Sequence, residues 1–266
     1  MTNAKSAAHV VQSSTVFRTV ARIGYVVLGI VHIVIGVLAV SITAGGGQNA
    51  DQGGAMEQIR SIPLGVLLLW VIALGLFALA LWQIAEAVVE RDPDTKKKWG
   101  RRAKFIGTAL AYIAIAVTAL VYALGGRSDS SSSTQTFSAQ LMATPGGVAL
   151  LVLVGLGVLA IGIAFIVRGF TQAFEKHLDL PDGKTRKGIV AFGTVGYVAK
   201  GIAVGVTGVL FVVAALTHDT QAAGGLDSAL HTLAELPFGV LILWVVGGGL
   251  VIYGLFCFAR ARYARM

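Results

Sequence analysis

The chain runs to 266 residues, 56% of them hydrophobic and only 13% charged, with 34 glycines and a formal net charge of +8. A soluble domain carries about twice that share of charged residues, so this composition excludes an ordinary water-soluble globule. Cys257 is the single cysteine, which excludes an intrachain disulfide and a paired-cysteine metal site.

In chain order, six apolar runs stand between clusters of charge, at about 22–43, 63–86, 105–125, 146–168, 189–216 and 237–259. Each is roughly 20 residues or longer, enough to cross a bilayer core about 30 Å thick. The first run exceeds the roughly 7–15 apolar residues of a secretory signal, so Arg18, Arg22 and Ser41-Ile42-Thr43-Ala44 read as flanks of a retained span. The second continues as helix to about Arg91 and stops before Pro93, because the residue ahead of a proline is pushed out of the helical region. Lys96-Lys97-Lys98, Arg101, Arg102 and Lys104 follow. After the fourth run, Leu180-Pro181-Asp182-Gly183 marks a turn, with Lys184, Arg186 and Lys187 beyond it.

Placing both termini and the 87–104 and 169–188 loops on one side gathers every Lys and Arg there except Arg60, Arg127 and Lys200. Short basic loops stay in the cytoplasm, so both termini are expected to be cytoplasmic. The same loops would meet anionic headgroups, at about 1 kcal/mol per basic residue. The net positive charge is thus a matter of membrane orientation, and no nucleic-acid partner is expected.

The runs repeat. Gly24-Tyr25 and Gly29-Ile30 match Gly196-Tyr197 and Gly201-Ile202, with Gly36-Val37-Leu38 matching Gly208-Val209-Leu210 at the same offset. Pro63-Leu64-Gly65, Trp70 and Gly75-Leu76 match Pro237-Phe238-Gly239, Trp244 and Gly249-Leu250. A more divergent middle copy keeps Gly107, Pro145, Gly147 and Gly157. The expected fold is therefore all-α: a six-transmembrane-helix bundle of three parallel-repeat hairpins with pseudo-threefold symmetry about the membrane normal. A tail at 1–17 would precede hairpin repeats at 18–95, 96–183 and 184–266. In the outer connections, Met56, Ile59 and Ile62, and likewise Leu226, Leu230 and Leu233, predict short amphipathic helices resting on the membrane surface. The middle connection, Ser128-Asp129-Ser130-Ser131-Ser132-Ser133-Thr134, predicts a flexible polar loop. Pro63, Pro145 and Pro237 would start the returning helices, where a missing N–H is harmless.

The glycine-tyrosine start, the glycine rows, the proline-x-glycine turn and the triplication resemble the bacterial membrane family called domain of unknown function twelve-oh-six. The resemblance implies an architecture, a bacterial cytoplasmic membrane location and no known chemistry. In that family the fourth position after the first glycine is often basic; here Lys200 fits, while Leu28 and Ala111 depart.

Signatures of catalysis are missing: no paired-His zinc helix, phosphate loop, serine elbow or four-cysteine cluster occurs. Gly155-x-Gly157-x-x-Ala160 imitates a dinucleotide fingerprint but lies inside an apolar run with no preceding strand, so its glycines read as packing residues. Tyr25, Gly29, His32 and Gly36 fall on one helical stripe, and Tyr197, Gly201, Val204 and Gly208 trace the same stripe, with Gly205 completing a small-residue motif. Such stripes are expected to face other helices, since lipid offers no hydrophobic drive for association. Lys200 and His32 lie at membrane depth and form the candidate intramembrane polar site. The simpler alternative has Lys200 snorkelling and His32 donating one hydrogen bond to a neighbouring helix. Asp227, His231 and Glu235, with His218 and Asp219 nearby, have a spacing that could serve zinc, yet the polar face of an amphipathic helix gives the same pattern. Trp70, Trp82, Trp99 and Trp244 read as packing or interface residues. The expectation is a non-enzymatic accessory or scaffold protein without cofactor or metal, partnered by the bilayer and possible other membrane proteins. The alternatives are a small transporter or channel with a polar cavity near the axis and, more remotely, a metal-dependent membrane enzyme.

Overall fold

The computed structural model describes residues 15–90 and 94–265, and among them the protein is all-helical apart from one isolated β-bridge. Six helices are long and apolar enough to cross a membrane: α1 (Thr15–Ile42), α3 (Gly65–Val89), α4 (Thr95–Ala123), α6 (Gly147–Phe170), α7 (Lys184–Thr217) and α9 (Gly239–Tyr263). Three short helices join them at the opposite end from the chain termini: α2 (Gln52–Ser61), α5 (Ser130–Met142) and α8 (Gly225–Glu235). The expected stop at Arg91 and Pro93 and most of the 1–17 tail lie outside the described residues; α3 itself gives way at Glu90. The spanning helices outrun their apolar cores at the basic end. At 34 residues α7 is about 51 Å long, so Lys184, Arg186 and Lys187 in its first turn stand clear of a hydrocarbon core.

All three returning helices begin with the same turn, and the prolines sit two residues earlier than expected. Gly65 N–H donates to Ile62 C=O at 2.9 Å, Gly147 to Thr144 at 2.9 Å and Gly239 to Leu236 at 2.8 Å. Between proline and glycine, Leu64 and Phe238 take φ of 64° and Gly146 takes 78°. This is a type II turn with proline at its second position. A right-handed helix cannot start until that left-handed residue is passed, which is why Gly65, Gly147 and Gly239 are the first helical residues. Each must be glycine, because a Cβ would collide with the carbonyl of Ile59, Leu141 or Ala234.

The middle connection is also helical, contrary to the flexible loop expected of its serine run. Asp129 caps α5, accepting from Ser132 N–H at 3.0 Å and from the Ser132 hydroxyl at 2.7 Å, and a satisfied cap offsets the weak helix propensity of serine. The apolar positions of α2 and α8 do not rest on a membrane surface. Met56, Ile59, Leu230 and Leu233 are buried, with α2 packed on α1, α3 and α4 and α8 packed on α7 and α9. Only Ile62, beside the turn, stays exposed.

Packing is heaviest between repeats: α3 lies on α4, α6 on α7 and α9 on α1. Small residues recur at every seventh position of the second helices and are all buried: Ala73, Ala80 and Ala87; Gly155, Gly162 and Gly169; Gly247, Gly254 and Ala261. At two junctions they meet the predicted glycine stripes. A Cβ on Gly29 would lie 2.7 Å from Gly254 O, on Gly36 2.5 Å from Gly247 O, on Gly201 2.7 Å from Gly162 O and on Gly208 2.8 Å from Gly155 O. Gly205 contributes differently: its own Cβ would meet nothing nearer than Leu159 at 3.9 Å, but its backbone fills the space over Gly162.

Within repeats the three copies diverge. Gly24 and Gly75 bring α1 and α3 into backbone contact, and Gly196 and Gly249 do the same for α7 and α9 through Tyr253 and Ala199. At the equivalent Gly107 and Gly157, a Cβ would meet nothing within 4 Å. Accordingly 28% of the apolar window of α4 and 17% of that of α6 is buried, against 61% for α1. The pseudo-threefold bundle is closed at its three junctions and open between α4 and α6.

Candidate functional site

Lys200 on α7 and His32 on α1 meet inside the bundle, across a helix that separates their own. Lys200 Nζ stands 3.1 Å from His32 Nε2. Beneath both lies the Tyr253 ring of α9, 4.4 Å from the ammonium and 4.8 Å from the imidazole centroid, and the Phe165 ring of α6 lies 5.2 Å from the ammonium on another side. His32 Nδ1 donates to the Leu28 carbonyl at 2.8 Å. A carbonyl can only accept, so that nitrogen carries a proton and Nε2 of the neutral ring accepts from lysine. A second proton on the imidazole would have to displace one from the amine. The pair therefore holds one positive charge comfortably and two only with repulsion at 3.1 Å. Among the described residues no carboxylate supplies a counter-charge to Lys200. Aromatic faces do so instead.

Toward the basic end an aromatic cluster fills the interior. Tyr197 packs edge-on against Tyr253 at 5.3 Å and stacks with Phe174 at 5.3 Å, and Phe256 lies 5.1 Å from Phe174. Phe174 comes from the loop after α6 and enters because Gly193 has no side chain; a Cβ there would stand 2.5 Å from its ring. One step further, the Arg260 guanidinium of α9 covers the Tyr25 ring of α1 at 4.4 Å and donates to its hydroxyl at 3.2 Å. Arg168 of α6 covers Tyr197 of α7 at 5.3 Å. These two arginines occupy equivalent positions, and each stacks on the equivalent tyrosine of the next repeat. At the third junction the same positions hold Glu86 and Thr108, so the arginine and its tyrosine are absent together.

Toward the short-helix end lies a cavity of about 280 Å³, lined by Asp51, Thr134, Val158, Val204, Thr207 and Phe211 among others. Val204 is one helical turn, roughly 6 Å of rise, from Lys200, so the cavity stops just short of the pair. Asp51 is buried at its rim. Burial pushes its carboxyl above the usual range, with Asp227 and Asp129 adding repulsion, while Gly54 N–H at 2.9 Å and the Ser131 hydroxyl at 3.3 Å oppose the shift. Asp129 is held below that range chiefly by Ser132 N–H.

Asp227, His231 and Glu235 do not assemble as a ligand set. Asp227 accepts from Ala50 N–H at 2.7 Å and stands 3.7 Å from His231, whereas His218 and Asp219 end one helix and cap the next. Among the described residues no group of three metal-ligating side chains converges. Trp82 is buried, while Trp70, Trp99 and Trp244 are exposed on the bundle surface.

Sequence reasoning brought Lys200 and His32 forward and passed over Arg168, Arg260, Tyr253 and Phe174. Extending the repeat match from Gly249-Leu250 to the helix ends would have paired Arg168 with Arg260. Phe174 lies in a loop with no counterpart in the other copies and carries no such signal.

Comparison with known proteins agrees with the triplication. The family described as Domain of Unknown Function (DUF1206) matches three times, over residues 23–90, 103–172 and 195–264. An uncharacterised protein, YxxB of Bacillus subtilis (strain 168), is 33% identical over 251 residues, covering 92% of this chain and 90% of that protein. No solved structure matches. With three family segments on three hairpins and a full-length relative, the chain belongs to the Domain of Unknown Function (DUF1206) family, as a multi-pass membrane protein of three two-span repeats.

Proposed function

We propose that the chain is a small transporter of the bacterial cytoplasmic membrane, with both termini in the cytoplasm, that moves a small anion together with a proton past Lys200 and His32. The observation that carries this reading is the Lys200–His32 contact at 3.1 Å over the Tyr253 ring, a one-charge pair at membrane depth with no carboxylate partner among the described residues. A permanent charge placed there for packing alone would be costly, by roughly 2.5–3.5 kcal/mol on insertion scales. A pair that trades one proton and faces no fixed anion suits a mobile anion instead. The 280 Å³ cavity at the short-helix end stops one helical turn short of the pair, so an anion entering there has one further turn to pass, and in this reading the rings of Tyr253, Tyr197 and Phe174 form the gate toward the cytoplasm. Covalent catalysis has no part in this reading. Basic loops hold the bundle against anionic headgroups, and other membrane proteins and nucleic acid are not required.

The test is flux in proteoliposomes loaded with a pH-sensitive dye and offered chloride, nitrate or phosphate. Anion-dependent proton movement is expected, and Lys200→Met should abolish it while leaving the elution profile unchanged. A second reading, an accessory or scaffold protein for other membrane components, is favoured by the same packed rings, which leave no open passage. Under it no anion moves protons, and Lys200→Met is silent or raises stability by removing a desolvated charge.

A further inference from the structure

The opening between α4 and α6 has a chemistry of its own, separate from the Lys200–His32 pair. Each of the other two repeats closes its hairpin with glycine contacts, whereas Gly107 and Gly157 face empty space. On the faces that carry Gly107 and Gly157, α4 exposes Leu110 and α6 exposes Leu153 and Ile161. At the basic end of this opening, α4 brings Lys104 and α6 brings Arg168 within electrostatic reach of each other, with Arg260 close behind. His177, on the loop that follows α6, faces the same three cations.

No acid answers them among the described residues. The neighbours that act on Lys104 are Arg168, Arg260 and Arg101, and those that act on His177 are Arg168, Lys104 and Arg260. Glu86, at the position equivalent to both arginines, interacts with Glu90 instead. Arg168 is fixed by its stack on Tyr197, yet its Nε is buried without a hydrogen-bond partner. Buried donors are nearly always satisfied, and an arginine with an orphaned nitrogen beside two like charges, Lys104 and Arg260, calls for an acceptor that carries negative charge.

We propose that the opening between α4 and α6 seats one anionic phospholipid, its phosphate held by Lys104 and Arg168 with His177 and Arg260 behind them and its acyl chains lying along the exposed faces of the two helices. A phosphodiester offers the acceptor oxygens that the arginine fork needs, and basic pockets between spanning helices at headgroup level hold such groups. The lipid also supplies the packing that the middle hairpin lacks. The site does not depend on the transport reading, since neither Lys200 nor His32 belongs to it. His177 provides a local reporter: burial and then the three cations hold its imidazole down at about 4, and a phosphate among them raises that value.

The test is native mass spectrometry of the detergent-purified full chain after exposure to phosphatidylglycerol or phosphatidylcholine. One phosphatidylglycerol should stay bound, at least ten times more often than phosphatidylcholine. Lys104→Gln with Arg168→Gln should reduce retention about tenfold, whereas Arg60→Gln with Arg127→Gln, at the opposite face, should leave it intact. Should the double variant fail to fold, Lys104→Gln alone on the exposed helix face should still reduce retention severalfold. In parallel, the His177 ring resonance should titrate at higher pH with phosphatidylglycerol bound. Retention unchanged in either Lys104 variant overturns the proposal. So does equal retention of both lipids, or a dimer without lipid. A shift of His177 produced fully by inorganic phosphate, with no lipid retained, assigns the cations to a free anion and overturns the lipid.

Discussion

At the α9–α1 and α6–α7 junctions, glycine meets glycine and an arginine covers a tyrosine: Gly29 with Gly254 under Arg260 and Tyr25, Gly201 with Gly162 under Arg168 and Tyr197. At the α3–α4 junction the corresponding positions hold Tyr112 against Ala80, with Glu86 and Thr108 in place of the stacked pair. The seven-residue spacing of small residues is the same in all three, so one register tolerates either glycine-to-glycine backbone contact or a seam that carries Ala80 and the buried Tyr112 side chain. The seam without a glycine pair is the one that α4, from the repeat whose own hairpin stands open, makes with α3. Glycine permits close contact without enforcing it: Gly107 and Gly157 are retained in the middle copy, yet nothing packs against them.

The largest expected effect separates packed from unpacked glycines. Gly36→Leu and Gly208→Leu should each lower unfolding free energy in detergent by about 3 kcal/mol, because side chains would be forced between touching backbones. Gly107→Leu and Gly157→Leu should change it by less than about 0.5 kcal/mol. Equal losses at all four positions would erase the difference between the copies.

A second way to sharpen the comparison is to move the stacked pair. Arg260→Gln removes a charge-assisted hydrogen bond and a desolvated cation–π contact, and should cost about 2 kcal/mol. Glu86→Arg combined with Thr108→Tyr should install the pair at the third junction, with a coupling in a double-mutant cycle of about 1 kcal/mol. A cycle with no coupling would mean that α3 and α4 lie too far apart for the stack.

The returning turns offer a smaller contrast, since Gly146 occupies freely the left-handed position that Leu64 and Phe238 occupy at a cost. Leu64→Gly should gain about 1 kcal/mol, and Gly146→Leu should lose a similar amount, measured by thermal unfolding. A last contrast is acidic. His177 has a folded value of about 4, below the 6.5 of the free side chain, so the unfolded chain takes up its proton first. Its contribution is complete above pH 6.5 and is lost as pH falls through 4. His177→Gln should flatten the stability profile in that window.

Much of the architecture was legible because hydropathy and repeat spacing are both local signals. The spans, the triplication and the stripes through Gly29 and Gly36 and through Gly201 and Gly208 all follow from them. Contacts across the bundle were less so. Lys200 and His32 stood out as ionisable residues at membrane depth, but nothing in the chain says that they reach each other over Tyr253, a residue of a third helix. The helix at Ser130–Met142 was hidden by its serine-rich composition, which conceals the capping role of Asp129. The opening between α4 and α6 was hidden for the opposite reason. Gly107 and Gly157 keep the family pattern, and only their surroundings reveal that they touch nothing.

The most direct test of the open middle hairpin is a distance across it. Spin labels at positions 107 and 157, with Cys257 replaced by alanine, should report a separation well beyond the roughly 8–10 Å between axes of packed helices. Strong dipolar broadening, placing the two labels within that packed range, would contradict the account.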